Sequence, residues 1–242
     1  MSYLFHLLIF NPLYNGLILL MNLSSFFDAG IIVIIFTIII KLILLPLSIK
    51  ASKAQLQMKS IEKDLNEIKE KHKTDKALQS QKTLEYYKEK GINPFASFFI
   101  LIVQLPIIIG LYQIFLKSGL PQINTDILYS FVSAPTFINM IFLGLINISE
   151  KSLILAIVAG VSTYFQISLA SGPQTASAGG SQNDIARAMQ VQMKYFFPVL
   201  VIFISYSVSA ALALYWITSN IFAIVQEIYI KKKYHKAVLV ID

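Results

Sequence analysis

The sequence contains no cysteine. Disulfides, iron–sulfur clusters, cysteine-based zinc sites and thiol catalysis are therefore excluded. Charge is also scarce: Asp, Glu, Lys and Arg make up 14% of the 242 residues, against roughly 25% in soluble domains. With 56% hydrophobic residues and a mean hydropathy of +0.66, that scarcity argues against a soluble globular chain and excludes a disordered one. Acidic residues are missing altogether from 30–47, 94–116, 153–170 and 195–226, so a carboxyl dyad or proton relay in these stretches has no members. The three histidines, His6, His72 and His235, are scattered. No HExxH, GxSxG, Walker loop or GxGxxG occurs. Metal ligation and hydrolysis have no visible machinery, and no cofactor is expected.

What remains is an oily chain with a net charge of +7, and its few charges are segregated. Residues 48–93 hold 11 Lys and 7 acidic residues. Around that island lie apolar runs near the ~20 residues that a helix needs to cross a bilayer. Gly30–Leu47 is apolar except for Lys41, and Pro94–Leu116 and Leu153–Ala170 are uncharged. Tyr195–Gln226, taken with its flank to Ile230, reads as a tight hairpin of two short spans turning near Tyr206–Ala210. Each leg is roughly 25 Å long, which implies a locally thinned bilayer.

The expected architecture is an all-α integral membrane protein with a five-span helical core: 29–47, 94–116, 153–170, 195–208 and 209–230. Charge bias orients it. With the 48–93 island in the cytoplasm, seventeen of the 20 basic residues fall on that side, including Arg187 and Lys194 in the loop 171–194 and the tail 231–242. Only Lys117 and Lys151 lie outside, and the C-terminus is cytoplasmic. If Tyr129–Ile148 also crossed, the basic tail would be outside. The segment 117–152 is therefore expected to be an outer loop with an interfacial helix. Tyr3–Leu23 could cross or lie flat without disturbing that count; the absence of a basic residue before it and its breaks at Asn11-Pro12 and Asn15-Gly16 favour a flat outer interfacial helix over residues 1–28. That places the N-terminus outside. It lacks the basic start and small-residue cleavage site of a signal peptide.

Residues 48–93 read as a helical hairpin. Ile61, Leu65 and Ile68 follow helical periodicity, Thr74-Asp75 marks a break, and a second helix covers about Ala77–Lys90 before Gly91 stops it. The small and polar stretch 171–183 reads as a flexible linker.

Lys41 is the sharpest feature. It lies about 11 residues, or roughly 16 Å, from the outer end of its span. A lysine at that depth costs on the order of 3 kcal/mol on insertion scales. Either it snorkels to the cytoplasmic face or it lines a water-filled cavity. Thr37 sits one turn away on the same face. Gln104, Gln166, Trp216, Thr218, Ser219 and Asn220 could line the same cavity. Single polar residues of this kind also serve as glue between helices, and a Trp serves in packing. The basic tail, Lys231, Lys232, Lys233 and Lys236, fits anionic lipid or ribosomal RNA.

Three blocks resemble the YidC-type membrane protein insertase family. They are Asn93-Pro94-Phe95 with Gln104-Leu105-Pro106-Ile107 and Leu111-Tyr112; Leu212-Ala213-Leu214-Tyr215-Trp216 with Asn220 and Gln226; and Thr37, Lys41 and Pro46-Leu47. The resemblance runs from about Asn11 to Lys236. It implies five spans around a hydrophilic groove that opens to the cytoplasm and to lipid, in a bacterial cell membrane. It puts Lys41, Thr37, Gln166 and Trp216 in or beside the groove, with Gln104, Tyr215 and Asn220 in the matching blocks. The implied function is to insert nascent membrane proteins and help them fold, without covalent catalysis. Implied partners are nascent membrane proteins, the lipid bilayer, the ribosome and the general secretion channel, and no DNA. The chain departs from the family in carrying Lys41 where an arginine is usual. Ile100 replaces a common mid-span proline, and Ser209-Ala210-Ala211 replaces a Pro-x-Gly turn. A small-solute transporter or channel is the alternative, but no internal repeat supports it. A membrane enzyme would have only Lys41 to work with, and a purely structural assembly subunit is a further rival.

Overall fold

The computed structural model describes residues 3–24, 26–93, 96–116, 120, 122–171 and 181–238. Lys117, Pro94-Phe95 and most of the expected linker 171–183 lie outside the described residues.

The N-terminal stretch is helical throughout: α1 (Tyr3–Phe5), a π-turn (His6–Phe10) and α2 (Asn11–Leu23) follow without a break. The interruptions expected at Asn11-Pro12 and Asn15-Gly16 do not occur. Pro12 sits where the π-turn passes into α2, and the helix absorbs it at that irregular turn without ending. Gly16 is kept small by α3, because a Cβ there would come 3.1 Å from the Phe36 ring.

Asp28 starts α3 (Ala29–Ser60): its Oδ1 accepts from the Ile31 N–H at 2.9 Å. This helix does not end at Leu47 as the expected span does. Residues 48–60 contain no glycine or proline and are rich in Ala, Lys and Gln, so the helix continues into the charged island. Ile61 breaks it, followed by α4 (Glu62–Lys71) and α5 (Lys76–Glu89). Helix α4 carries Glu62 and Asp64 in its first turn and Lys69 and Lys71 in its last, matching the helix dipole. Asp75 caps α5 by accepting from the Leu78 N–H at 3.0 Å, and Gly91 leaves it at φ +64°. Ile61, Leu65 and Ile92 form a small separate core with Met58, Tyr86 and Tyr87. The Tyr86 hydroxyl donates to the Asp64 carboxylate. That bond holds the phenol's pKa up at about 12.

The remaining helices are α6 (Ala96–Leu116), α7 (Leu153–Ser171), α8 (Ser181–Ser207) and α9 (Ala210–Val238). Helix α9 packs against α3, α6, α7 and α8, which explains why Ala210–Trp216 is buried without interruption. Gly160 lets α7 and α8 touch: a Cβ there would lie 2.3 Å from the Ile202 side chain and 2.9 Å from the Pro198 carbonyl. Helix α8 begins at Ser181, well before the end of the expected loop at 194. Helix α9 carries all four lysines of the expected tail.

Among the described residues of 117–152 the expected interfacial helix is not found; the only helical piece there is a 3-10 turn, Thr125–Ile127. Residues 129–148 are irregular apart from one short antiparallel pair, β1 (Ile141–Phe142) and β2 (Ile146–Asn147). The loop spends its carbonyls on the ends of other helices. Asn139 O accepts from Ala29 N at 2.8 Å, Glu150 O from Ala210 N at 2.7 Å, and Ile148 O from Ala211 N at 3.0 Å. An internal helix would keep such carbonyls for itself and leave the first N–H groups of α3 and α9 unpaired.

Candidate functional site

Lys41 leaves α3 half-buried, toward α6 and α9. Its ammonium donates to Gln104 Oε1 on α6 at 3.3 Å. A lysine can only donate, so the carboxamide must turn its oxygen to Lys41 and its NH2 outward. That NH2 donates to the Tyr215 hydroxyl on α9. Three helices therefore meet at a chain of polar groups, Lys41 to Gln104 to Tyr215. No carboxylate among the described residues pairs with Lys41.

Other expected members sit elsewhere. Thr37 is only 1% exposed. Its hydroxyl donates to Val33 O of its own helix at 2.7 Å, so it supplies nothing to Lys41, although the two are one turn apart. Asn220 faces α7, where its Nδ2 donates to Ser162 Oγ at 2.9 Å and Thr163 Oγ1 at 2.8 Å. That is glue between helices rather than a lining. Gln166 is half-buried on α7, one turn beyond that pair. Trp216 belongs to the main core.

The basic tail divides. Lys231 turns inward: its ammonium donates to Leu169 O at the end of α7 and lies 3.5 Å from Glu227. Gln55 Nε2 reaches the neighbouring Ala170 O at 3.4 Å. A cation and an amide thus cap the carbonyls that α7 leaves open. Lys231 is a cap, not a free surface contact. Lys232 and Lys233 are exposed, and the side chain of Lys236 lies outside the described residues. Glu227 is 8% exposed and falls inside the expected last span, yet it escaped the sequence reading. Its position four residues before Lys231 is the spacing of a helical ion pair and was the available signal. Ser48 Oγ, which donates to Gln226 Oε1 at 2.7 Å, also escaped it.

A family model described as "60Kd inner membrane protein" matches residues 20–237. The chain belongs to that family. Among its relatives, the protein named "Membrane protein insertase YidC" of Fusobacterium nucleatum is 33% identical over 227 residues, covering 93% of this chain and 98% of that one. "Membrane protein insertase MisCA" of Bacillus subtilis is 32% identical over 209 residues, covering 84% and 70%. "Membrane protein insertase YidC" of Clostridium tetani is 31% identical over 207 residues, covering 85% and 83%. The chain is a membrane protein insertase of the bacterial cell membrane, and its substrates are membrane proteins. Insertases of this family act without covalent catalysis.

Proposed function

We propose that this insertase works through a hydrophilic groove bounded by α3, α6 and α9, with Lys41 as its cation. The carrying observation is the chain from Lys41 through Gln104 to Tyr215, which holds the ammonium between helices and gives it no carboxylate partner. A lysine stored for stability alone would be paired or would reach the interface. A cation held by a neutral amide keeps its field for an incoming anion. An acidic, extracytoplasmic segment of a substrate is therefore drawn in. A polar, hydrated groove removes much of the several kcal/mol that each buried polar group otherwise costs.

The groove opens to the cytoplasm, where Ser48, Gln55, Gln226 and Lys231 cluster at one end of the bundle. Outward movement is shortened by thin spans. The apolar part of α8, Tyr195–Ser207, is roughly 20 Å long against a hydrocarbon core of about 30 Å. The substrate's own span then partitions into lipid, gaining about 25 cal/mol per Å² of apolar surface, and the membrane potential assists.

The helix Tyr3–Leu23 lies flat outside. In support, it meets α3 at Phe36 beside Gly16 and α6 at Gly110 beside Ile9 and Leu13. Asn15 bonds the outer loop at Ile127 O (2.9 Å) and Tyr129 N (2.6 Å). These contacts all lie toward the outer ends. The hairpin 62–89 lies in the cytoplasm and, with Lys232 and Lys233, faces anionic headgroups, the ribosome and the secretion channel.

The test is insertion into liposomes containing only this protein, using a single-span substrate with an acidic outer tail. We expect protease-protected insertion that Lys41→Arg retains and Lys41→Glu abolishes. Unchanged insertion with Lys41→Glu would remove Lys41 from the mechanism.

A further inference from the structure

We propose that the outer hairpin Ile141–Asn147 is a lipid anchor whose tip, Leu143 and Leu145, inserts into the outer leaflet at the boundary between acyl chains and headgroups. The proposal rests on the outer placement of this loop given above.

The tip is built to present these side chains. Ile141 pairs with Asn147 and Phe142 with Ile146, leaving Leu143, Gly144 and Leu145 as the turn. Leu143 has φ +51° and Gly144 has φ +71°. A leucine rarely adopts that left-handed backbone, and specific contacts hold it there. The Leu143 N–H donates to Asp28 Oδ2 at 3.1 Å, and the Leu145 N–H donates to Phe142 O at 3.0 Å. Phe142 is seated directly on α3, where a Cβ on Gly30 would come 2.3 Å from its ring. The hairpin is thus clamped, while Leu143 is 62% exposed and Leu145 is 83% exposed.

Two further observations select lipid as the occupant. The contacts with Asp28 and Gly30 set the tip beside the first turn of α3, where the apolar stretch 30–47 begins. Residues 127–148 carry no charge at all, so the tip recognises acyl chains and not a charged headgroup. Phe131 and Phe137 on the same loop are also exposed, as suits an interfacial segment. Two leucines cover only a fraction of the roughly 800 Å² that each side of a stable protein interface buries.

The chain's lack of cysteine allows a direct test. Nitroxide labels are attached to Leu145→Cys and, separately, to Ser149→Cys, in sealed vesicles of uniform orientation made from uncharged phosphatidylcholine. Collision with oxygen and with a water-soluble nickel chelate, added outside or in separate samples enclosed within, is read by electron paramagnetic resonance. We expect position 145 to be rich in oxygen contact and several-fold less accessible to nickel than position 149, with no change when anionic lipid is added. Equal nickel access at the two positions would overturn the anchor. So would protection of position 145 from both probes, which signifies a protein contact. If the label at 149 meets nickel only from the cytoplasmic side, the outer placement itself fails and the anchor with it.

Discussion

Replacing Lys41 by Gln removes one charge and keeps a polar side chain. A substrate carboxylate about 6 Å from the ammonium gains about 3 kcal/mol at an effective dielectric of 20, and about half that in a well-hydrated groove. Each 1.4 kcal/mol is a factor of ten. Lys41→Gln should therefore slow insertion of a substrate with one acidic tail residue by about tenfold in a hydrated groove and at most about a hundredfold. A neutral-tailed substrate loses no such attraction and should insert at an unchanged rate. The assay is the initial rate of protease protection in liposomes, with acidic and neutral tails run side by side. Salt adds a second axis, because screening acts over about 8 Å at physiological ionic strength. The acidic-tail advantage should shrink as salt rises in the native protein and be flat in Lys41→Gln. If both tails slow equally, Lys41 acts through packing and not through its charge.

Other outcomes follow from the same geometry. Gln104→Leu strips the ammonium of its acceptor and Tyr215 of its donor; we expect insertion of acidic-tailed substrates to fall more than with Tyr215→Phe, and equal effects would argue against the chain. Asn220→Ala removes two hydrogen bonds to α7 and should cost about 1 kcal/mol in a membrane setting, read as a lower Tm in detergent, with the residual folded protein still active. Gly160→Ala drives a Cβ against the Pro198 backbone carbonyl, which cannot move like a side-chain tip; a loss of about 1–3 kcal/mol is expected, and an unchanged Tm would refute the close crossing. In the cytoplasmic hairpin, the bond to Asp64 raises the Tyr86 pKa from 10.0 to about 12. The phenol keeps its proton when folded over a range where it would lose it when unfolded, so this contribution is intact below pH 10 and is lost as pH rises through about 12. Protection factors of α4 and α5 amides, the intrinsic exchange rate divided by the observed rate at each pH, should fall across that window, and Tyr86→Phe should flatten the fall.

Lys41 was legible because a lone cation in an apolar run has few tolerable fates. Its partners were not fixed by periodicity, which gives a residue's own face but not the rotation of neighbouring helices. Thr37 shows the limit: it shares a face with Lys41, but the carbonyl four residues back is the nearest acceptor for a helical threonine. Asn220 and Trp216 were equally legible as polar or aromatic residues in a span, yet packing turned one to α7 and the other into the core. Helix punctuation was readable where chemistry is local, as at Asp75 and Gly91. It misled at Pro12 and Gly16, where the π-turn before α2 and a packed Phe36 make both residues tolerable. The outer loop could not be read from hydropathy, because its conformation answers to unpaired N–H groups on α3 and α9, far away in sequence.

The central claim is that Lys41 faces water continuous with the cytoplasm. It is tested most directly by placing a single cysteine at position 41 of the otherwise cysteine-free chain and measuring reaction with a membrane-impermeant maleimide from each side. The groove predicts reaction at position 41 from the cytoplasmic side and none from outside. A position 41 inert from both sides, or reactive from outside, would contradict it.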